Sequence, residues 1–489
     1  MNAPTSPSTA GDTSLDSRQR YTKARVTHWN SVAASLDHWH GWGGLYHRRL
    51  RQVYPFLVPP GERVLEIGCG AGDLLAACRP SLGVGVDFSP AMVRRAARQH
   101  PECRFVLADA HALPLRGPFD VVILSDLVND LWDVQGVLEA ARAVMHPRSR
   151  LILNVYSRLW EQPLALAEAV GLAKPTLHQN WLTVEDLNSL LRLAGLEQVR
   201  HWTEVAWPLP TPLLEPLWNR YLVRAWPTAL LALSNFILAR PTATAPHGTE
   251  APSVSVVVPV RNEAGNIGPL LDRLPPLGKD TEVIFVEGHS RDDSYAVLER
   301  EVGRRPGPVM HLLRQPGVGK GDAVRAGFAH ASGDILLILD ADLSVRPEDL
   351  PRFVRALTDG TAEFVNGVRL VYPMEDQAMH FFNLVGNRLF SLLFSWLIGQ
   401  PVKDTLCGTK ALWREDYVRI DALRSSFGDF DPFGDFVLLF GAARLGLKIV
   451  DLPIRYQRRV YGQTNIQRWK HGWLLLRMLG FAASRLKFI

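Results

Sequence analysis

Cysteine is scarce: four residues in 489, at positions 69, 78, 103 and 407, with no CxxC pair and no spacing that suits a ligand set. That argues against a disulfide framework and a zinc site, and it fits a reducing cytoplasm. Long apolar runs are lacking too. The N-terminus MNAPTSPSTAGDTSLDSRQR has none of the apolar core of a signal peptide, so export is not expected and residues 1–20 read as a disordered tail. Trp207 to Pro241 is apolar but broken by Glu215, Arg220, Arg224 and several prolines, leaving about 14 uncharged residues after Arg224, short of the ~20 a span needs. His380 to Gln400 is interrupted by Asn383, Asn387 and Arg388. Both stretches suit interfacial or buried helices, and no transmembrane helix is expected.

A strong excess of one charge is also missing. The net charge is +5, with 47% hydrophobic and 21% charged residues, which is the composition of a folded chain too long for a single core. The basic residues are nevertheless unevenly spread. From Phe440 to Ile489 there are ten Lys or Arg against one acid, Asp451, interleaved with Trp469, Trp473, Leu474, Leu475, Leu476, Met478, Leu479 and Phe481. That mixture suits an anionic membrane surface. It equally suits a terminal helix packed on its own domain with a solvated basic face. No nucleic-acid reader motif appears, so nucleic acid is not an expected partner.

What is present is a pattern of strands and helices in alternation, repeated with different motifs. RVLEIG, GVGVD, RFVLAD, DVVILSD and RLILNVY come first; VSVVVPV, EVIFVEG, VMHLLRQ, DILLILDAD and EFVNGVR follow. The expectation is two tandem α/β domains, the alternation arguing for a parallel sheet with helices on both faces. PTATAPHGTEAPS reads as the linker between them. The expected division is a tail over 1–20, a first domain over 21–205, an apolar helical extension over 206–240, a linker over 241–252 and a second domain over 253–489.

In the first domain a strand delivers Glu66 into Gly68, Gly70 and Gly72, a turn that brings backbone close to a ligand. Asp87, 19 residues after Gly68, ends the next strand, where a carboxylate can accept two ribose hydroxyls. A dinucleotide turn would want glycine at 73, which is Asp73. VLEIGCGAGD, VGVDFSPAMVRRA and FVLADAHALPL resemble the successive motifs of Rossmann-like S-adenosylmethionine-dependent methyltransferases. The resemblance implies S-adenosylmethionine held near Glu66, Gly68, Gly70 and Gly72, its ribose on Asp87 and its adenine near Asp109 and Ala110. The acceptor pocket is open: Asp126, Asn129, Asp130 and Asp133, or His38, His40, Tyr46 and His47, are all placed to line it.

The second domain turns on DILLILDADLSV, in which five consecutive Ile and Leu end in Asp340 and Asp342. Side chains alternate along a strand, so a D-x-D puts two carboxylates on one side, a pair suited to a divalent cation on a diphosphate. With VVVPVRNEAGNI, VEGHSRDDS and GVGKGDAVRAGF, this resembles family 2 glycosyltransferases of the GT-A fold, in a layout similar to polyprenyl-phosphate sugar synthases such as dolichyl-phosphate mannose synthase. The resemblance implies a nucleotide-sugar donor bordered by Pro259, Asn262, Glu263, Glu287 and Lys320, with Asp340 and Asp342 serving donor and a magnesium or manganese ion. Arg369, Arg458 and Arg459 would approach phosphates, and Asp342, Asp404 and Asp435 carry the chemistry. Glu287 stands where the family usually has aspartate.

The expectation is a bifunctional enzyme, peripheral on the cytoplasmic face of the membrane. It would transfer a sugar with inversion to a lipid-linked acceptor, polyprenyl phosphate foremost, and methylate a pathway intermediate. The alternatives are transfer to a glycan hydroxyl in cell-surface polysaccharide assembly, or a glycosyltransferase with a non-catalytic S-adenosylmethionine-binding module.

Overall fold

In the strand Arg63–Ile67 (β1), Leu65 packs into one apolar core and its neighbour Val64 into another, and both are fully buried. A strand buried on both faces belongs inside a parallel sheet covered by helices. Each such side chain contributes roughly 1.5–3 kcal/mol, so these central strands concentrate the stability of the fold.

The computed structural model describes residues 10–36, 43–169, 176–242, 251–305, 307–369, 371–372, 381–424, 434–457, 461 and 468–488. The chain forms two units, Met1–Thr242 and Ala243–Ile489, each an α/β unit on a seven-stranded mixed sheet. The first sheet comprises β1, Leu82–Asp87 (β2), Arg104–Leu107 (β3), Phe119–Ser125 (β4), Met145–Tyr156 (β5), Leu196–Glu204 (β6) and Ser234–Pro241 (β7). Its order is β3-β2-β1-β4-β5-β7-β6, parallel except where β7 pairs antiparallel with β5 and β6. The order reverses between β1 and β4, and ligands of open α/β sheets bind outside the carboxyl ends of the strands at such a point.

Two expectations about this unit are corrected. Residues 10–20, assigned to a disordered tail, are the first turns of a helix, Ala10–Ser35 (α1). Its polar side chains find partners on loops at the carboxyl ends of the strands, which composition cannot show: Arg18 faces Asp109 at 3.8 Å, Arg25 and Trp29 each meet Asp130 at 2.7 Å, and Asn30 accepts from the Ser89 hydroxyl at 2.7 Å. Residues 206–240, assigned to an apolar helical extension, contain only short helical turns between Leu214 and Leu231 and then strand β7. In β7, Phe236 and Leu238 fill one core while Ile237 and Ala239 fill the other, so the run is apolar because it is a two-faced strand. Buried Glu204 at the end of β6 anchors this segment, accepting from Arg224 at 2.5 Å and from Arg49 at 3.0 Å. Arg49 lies on the helix Gly43–Leu57 (α2). Of the expected linker, residues 243–250 lie outside the described residues.

The second sheet comprises Val254–Val260 (β8), Thr281–Glu287 (β9), Val309–Arg314 (β10), Ile335–Ile338 (β11), Phe364–Val368 (β12), Lys410–Trp413 (β13) and Ile449–Pro453 (β14). Its order is β10-β9-β8-β11-β13-β12-β14, with β13 antiparallel to both neighbours. Val256 and Val258 fill one core with Leu337, and Val257 the opposite one with Leu336 and Ile338. Here the order reverses between β8 and β11. Asn262 and Glu263 follow β8, and Asp340 and Asp342 follow β11, so the sheet brings those two motifs to one crevice.

Candidate functional site

In the first unit the glycine turn is real and each glycine has its own reason. Gly68, Gly70 and Gly72 have φ of 74°, 51° and 80°, a region that penalises any side chain. A Cβ on Gly68 would meet the Leu127 side chain at 2.7 Å, and one on Gly72 would meet Phe105 at 2.7 Å. A Cβ on Gly70 would enter open space, the place where a ligand can approach the backbone. Asp87, 8% exposed, accepts from the Gly70 amide at 2.9 Å and the Ser89 amide at 2.8 Å. Burial raises its carboxyl, and the two amides partly offset that. Glu66, 2% exposed, is pushed up by burial, and its Oε2 has no hydrogen-bond partner among the described residues. Asp109 is held low, chiefly by the His111 imidazole 2.6 Å away, and Ala110 beside it is buried. An orphaned carboxylate oxygen, an open glycine and a buried aspartate together fit a cationic amino-acid-bearing nucleoside.

Farther along the same crevice, Asp126 follows β4 with φ of 52°. Its Oδ1 accepts from the Tyr46 hydroxyl at 2.6 Å and from Asn154 Nδ2 at 2.5 Å. Of its neighbours, Asp130 is held by α1, and Asp133 caps the helix Val134–Ala143 by accepting from the Gly136 amide. His38 and His40 lie outside the described residues.

In the second unit, Asn262 has φ of 58° and accepts from the Arg291 amide at 2.7 Å, while its own amide donates to Ser290 Oγ. Glu263 accepts from Asn266 Nδ2 at 2.5 Å, and Glu287 from the Ser290 amide at 2.5 Å. Asn262, Ser290, Arg291 and Glu287 therefore form one bonded loop pair beyond β8 and β9. Pro259 lies within β8, paired to Val286 of β9.

Asp340, a carboxylate at the end of a strand buried on both faces, is paired with a cation. Its Oδ1 is 2.5 Å from Lys320 Nζ, at the start of the helix Lys320–His330. Burial would raise this carboxyl, but Lys320, with Arg369 and Lys410 behind it, holds it below the usual range. Lys410, fully buried on β13, donates to the Cys407 carbonyl at 2.5 Å. Neither Lys410 nor Gly408, whose missing side chain leaves room for the Lys320–Asp340 pair, is suggested by sequence motif. Asp342 is buried and accepts from Ser344 N and Oγ at 3.0 and 2.6 Å.

Asp404 and Arg369 are brought together and face each other. Arg369 Nε and Nη2 donate to the two Asp404 oxygens at 2.7 and 2.9 Å, and Asn387 Nδ2 adds a third side-chain bond at 3.1 Å. Asp404 is 0% exposed. Burial notwithstanding, Arg369 holds it low, so it is a fixed anion that orients Arg369. This geometry makes Asp404 a positioning group rather than a proton acceptor. Asp435 opens the helix Asp435–Arg444, and the preceding Gly434, φ 74°, lies against Gly321. The Asp435 side chain, Arg458 and Arg459 lie outside the described residues. As metal ligands, Asp340 and Asp342 offer suitable hard oxygens, although Lys320 stands on the first of them; among the described residues no third His, Cys, Asp or Glu completes a cluster.

Residues 255–418 match the family model described as Glycosyl transferase family 2, and residues 42–201 match that described as Methyltransferase domain. The chain joins a methyltransferase domain to a family 2 glycosyltransferase domain. The glycosyltransferase part is similar to an undecaprenyl-phosphate 4-deoxy-4-formamido-L-arabinose transferase of Edwardsiella ictaluri (strain 93-146), 31% identical over 216 residues, 43% of this chain and 62% of that protein. The same enzyme from Enterobacter sp. (strain 638) is 29% identical over 221 residues, with the same coverage. The chain thus spans less than two thirds of the length of these relatives. Among solved structures, the methyltransferase unit is similar to an S-adenosylmethionine-dependent methyltransferase of Thermotoga maritima, a possible histamine N-methyltransferase. That match is 19% identical, covers 43% of this chain and 98% of the other, and has a TM-score of 0.35. The glycosyltransferase unit is similar to glucosyl-3-phosphoglycerate synthase of Mycobacterium tuberculosis, 22% identical, covering 49% and 81%, with a TM-score of 0.36.

Proposed function

We propose that the glycosyltransferase unit transfers a sugar, with inversion, from a nucleotide donor to a polyprenyl-phosphate acceptor, and that the methyltransferase unit uses S-adenosylmethionine to methylate an intermediate of the same pathway. The observation that carries the first half is the cation-ringed carboxylate at the end of β11. Lys320, Arg369 and Lys410 all act on Asp340, and with a divalent ion added to these cations the crevice suits a diphosphate. The named relatives act on undecaprenyl phosphate, which supports a lipid phosphate as acceptor. Such an acceptor is already ionised and needs no base. Asp340 and Asp342 would hold a magnesium or manganese ion, which supplies charge neutralisation to the leaving diphosphate. Pro259, Asn262, Glu263 and Glu287 border the nucleotide.

Attachment to the cytoplasmic membrane surface belongs to the same reading. The helices Phe381–Ile398 and Arg468–Ala482 expose Leu389, Leu392, Trp473 and Leu476, although no helix among the described residues is long and apolar enough to cross a membrane. For the methyltransferase unit, Glu66, the turn at Gly68, Gly70 and Gly72, and Asp87, Asp109 and Ala110 would hold the cofactor.

The test is radiolabel transfer from a panel of nucleotide sugars to undecaprenyl phosphate in detergent, with wild type beside Asp342→Ala. Chloroform-soluble label that disappears in the variant supports the reading. Donor binding without transfer to the lipid phosphate, but with transfer to a glycan hydroxyl, replaces it.

A further inference from the structure

Beyond the fourth strand of the methyltransferase unit lies a buried polar network whose donors are all accounted for. Tyr54 OH donates to Asn154 Oδ1 at 2.5 Å. Asn154 Nδ2 donates to Asp126 Oδ1 at 2.5 Å and to the Tyr46 oxygen at 3.0 Å, and the Tyr46 hydroxyl donates to the same Asp126 oxygen at 2.6 Å. Asp126 Oδ1 is thereby fixed by two donors, and no donor among the described residues holds Oδ2. A network made only to tie α2 to the sheet has no need of an ionisable member, since a neutral acceptor would close it without the cost of a desolvated charge.

Its location is specific. Asp126 stands at the carboxyl end of β4, across the point of strand-order reversal from the glycine turn after β1. Leu127, the next residue, is the side chain that a Cβ on Gly68 would strike. Asp126 is held at φ of 52°, an uncommon backbone state for a residue with a side chain, and such states persist where surrounding structure enforces them. Among the described residues, the groups facing Asp126 are Tyr46 and Tyr54 from α2 and Asn154 and Tyr156 from β5, and none of them is a cation.

We propose that Asp126 is the proton acceptor of the methyl transfer and that the methyl acceptor is accordingly a hydroxyl compound. This rests on the methyltransferase reading of the unit. The sulfonium supplies an electrophilic methyl group. As the acceptor oxygen forms its bond to that carbon, the carbon–sulfur pair stays on sulfur, the O–H pair stays on oxygen, and the proton passes to Asp126 Oδ2. The products are a methyl ether, a neutral thioether and a neutral Asp126 carboxyl. Tyr46 and Asn154 hold Oδ1 still so that Oδ2 faces the acceptor, which makes them positioning residues. Burial raises the Asp126 carboxyl to about 7, with the bonds from Tyr46 and Asn154 pulling it part of the way back. A base near neutrality is suited to a hydroxyl and unnecessary for an acceptor that is already an anion.

The experiment uses the full chain and begins with calorimetric binding of S-adenosylmethionine to wild type, Asp126→Asn and Tyr46→Phe. Binding by none of the three would sink the methyltransferase reading itself, apart from the role of Asp126. With binding established, the probes are octyl glucoside, which offers only hydroxyls, and octyl glucosaminide, which adds an amine; products are scored by mass and fragmentation. The expected result is an O-methyl glycoside from wild type and a loss of ~10²–10⁴-fold in Asp126→Asn with cofactor affinity kept within about threefold. Tyr46→Phe removes a bond that lowers the Asp126 carboxyl, so its pH–rate midpoint moves upward, a shift that a purely structural Tyr46 would not produce. Only N-methyl product, no transfer to either probe's hydroxyls, or undiminished transfer by Asp126→Asn would each overturn the proposal.

Discussion

Lys320 Nζ lies 2.5 Å from Asp340 Oδ1, so the first carboxylate of the D-x-D motif is neutralised by a side chain that a divalent ion would have to displace. Ammonium and metal compete for one oxygen. Lys320→Met is therefore expected to bind manganese on the order of tenfold more tightly without donor, because the competing charge is gone, and to lose affinity for nucleotide diphosphate. Manganese titration followed by electron paramagnetic resonance measures the first, and equal affinity in variant and wild type would show that the two cations do not share the site.

The room for that ion pair comes from Gly408. A Cβ at this position would overlap Lys320 Nζ and both Asp340 oxygens. Gly408→Ala should cost about 1–3 kcal/mol of stability, as overpacking does, while abolishing donor binding. Denaturant unfolding beside nucleotide binding separates the effects; a variant that binds donor normally would mean that the pair can move without consequence.

Arg369 and Asp404 make the opposite kind of pair, closed and with the carboxylate fully buried. Removing one charge strands the other, so Asp404→Asn is expected to lose about 3–5 kcal/mol. The pH dependence has a definite sign. Asp404 titrates lower in the fold than in the unfolded chain, chiefly because Arg369 outweighs burial. Its contribution is complete above the unfolded carboxylate value of about 3.9 and fades as pH falls through the folded value. Wild type should therefore lose stability below about pH 4 more steeply than Asp404→Asn, measured by thermal unfolding across pH 2.5–6; parallel curves would refute the assignment.

The parts of the sites written in consecutive residues were legible in the sequence: the glycine turn, Asp87 one strand later, and the paired carboxylates ending a run of Ile and Leu. What was not legible depends on partners distant along the chain. The Lys320–Asp340 pair needs Gly408, and residues 10–20 read as a tail until they are seen to begin a helix from which Arg18 faces Asp109. Strand β7 hid as an apolar stretch because both of its faces are buried, which removes the alternation that marks a strand. The acids of SDLVNDLWD are alike in sequence, yet one is half-buried against tyrosines, one is clamped by Arg25 and Trp29, and one caps a helix. Environment, not residue type, distinguishes them.

The exposed apolar residues of the second unit give the membrane proposal its test. Leu392 is 71% exposed and Trp473 72%, on helices that pack against each other, and Arg477 and Arg485 follow Trp473 in the chain. Insertion of large side chains beside basic ones binds anionic interfaces through buried apolar area plus charge, at roughly 1 kcal/mol per basic residue near the surface. Leu392→Ser with Trp473→Ser should reduce sedimentation with vesicles of phosphatidylglycerol and phosphatidylethanolamine by at least tenfold, and raising salt should weaken the wild type further. Transfer to a short-chain, water-soluble prenyl phosphate should survive in the double variant, because both side chains are mostly exposed. Unchanged vesicle binding would assign these side chains to a contact other than lipid, whereas loss of both vesicle binding and soluble-acceptor transfer would place the two helices in the fold of the acceptor site itself.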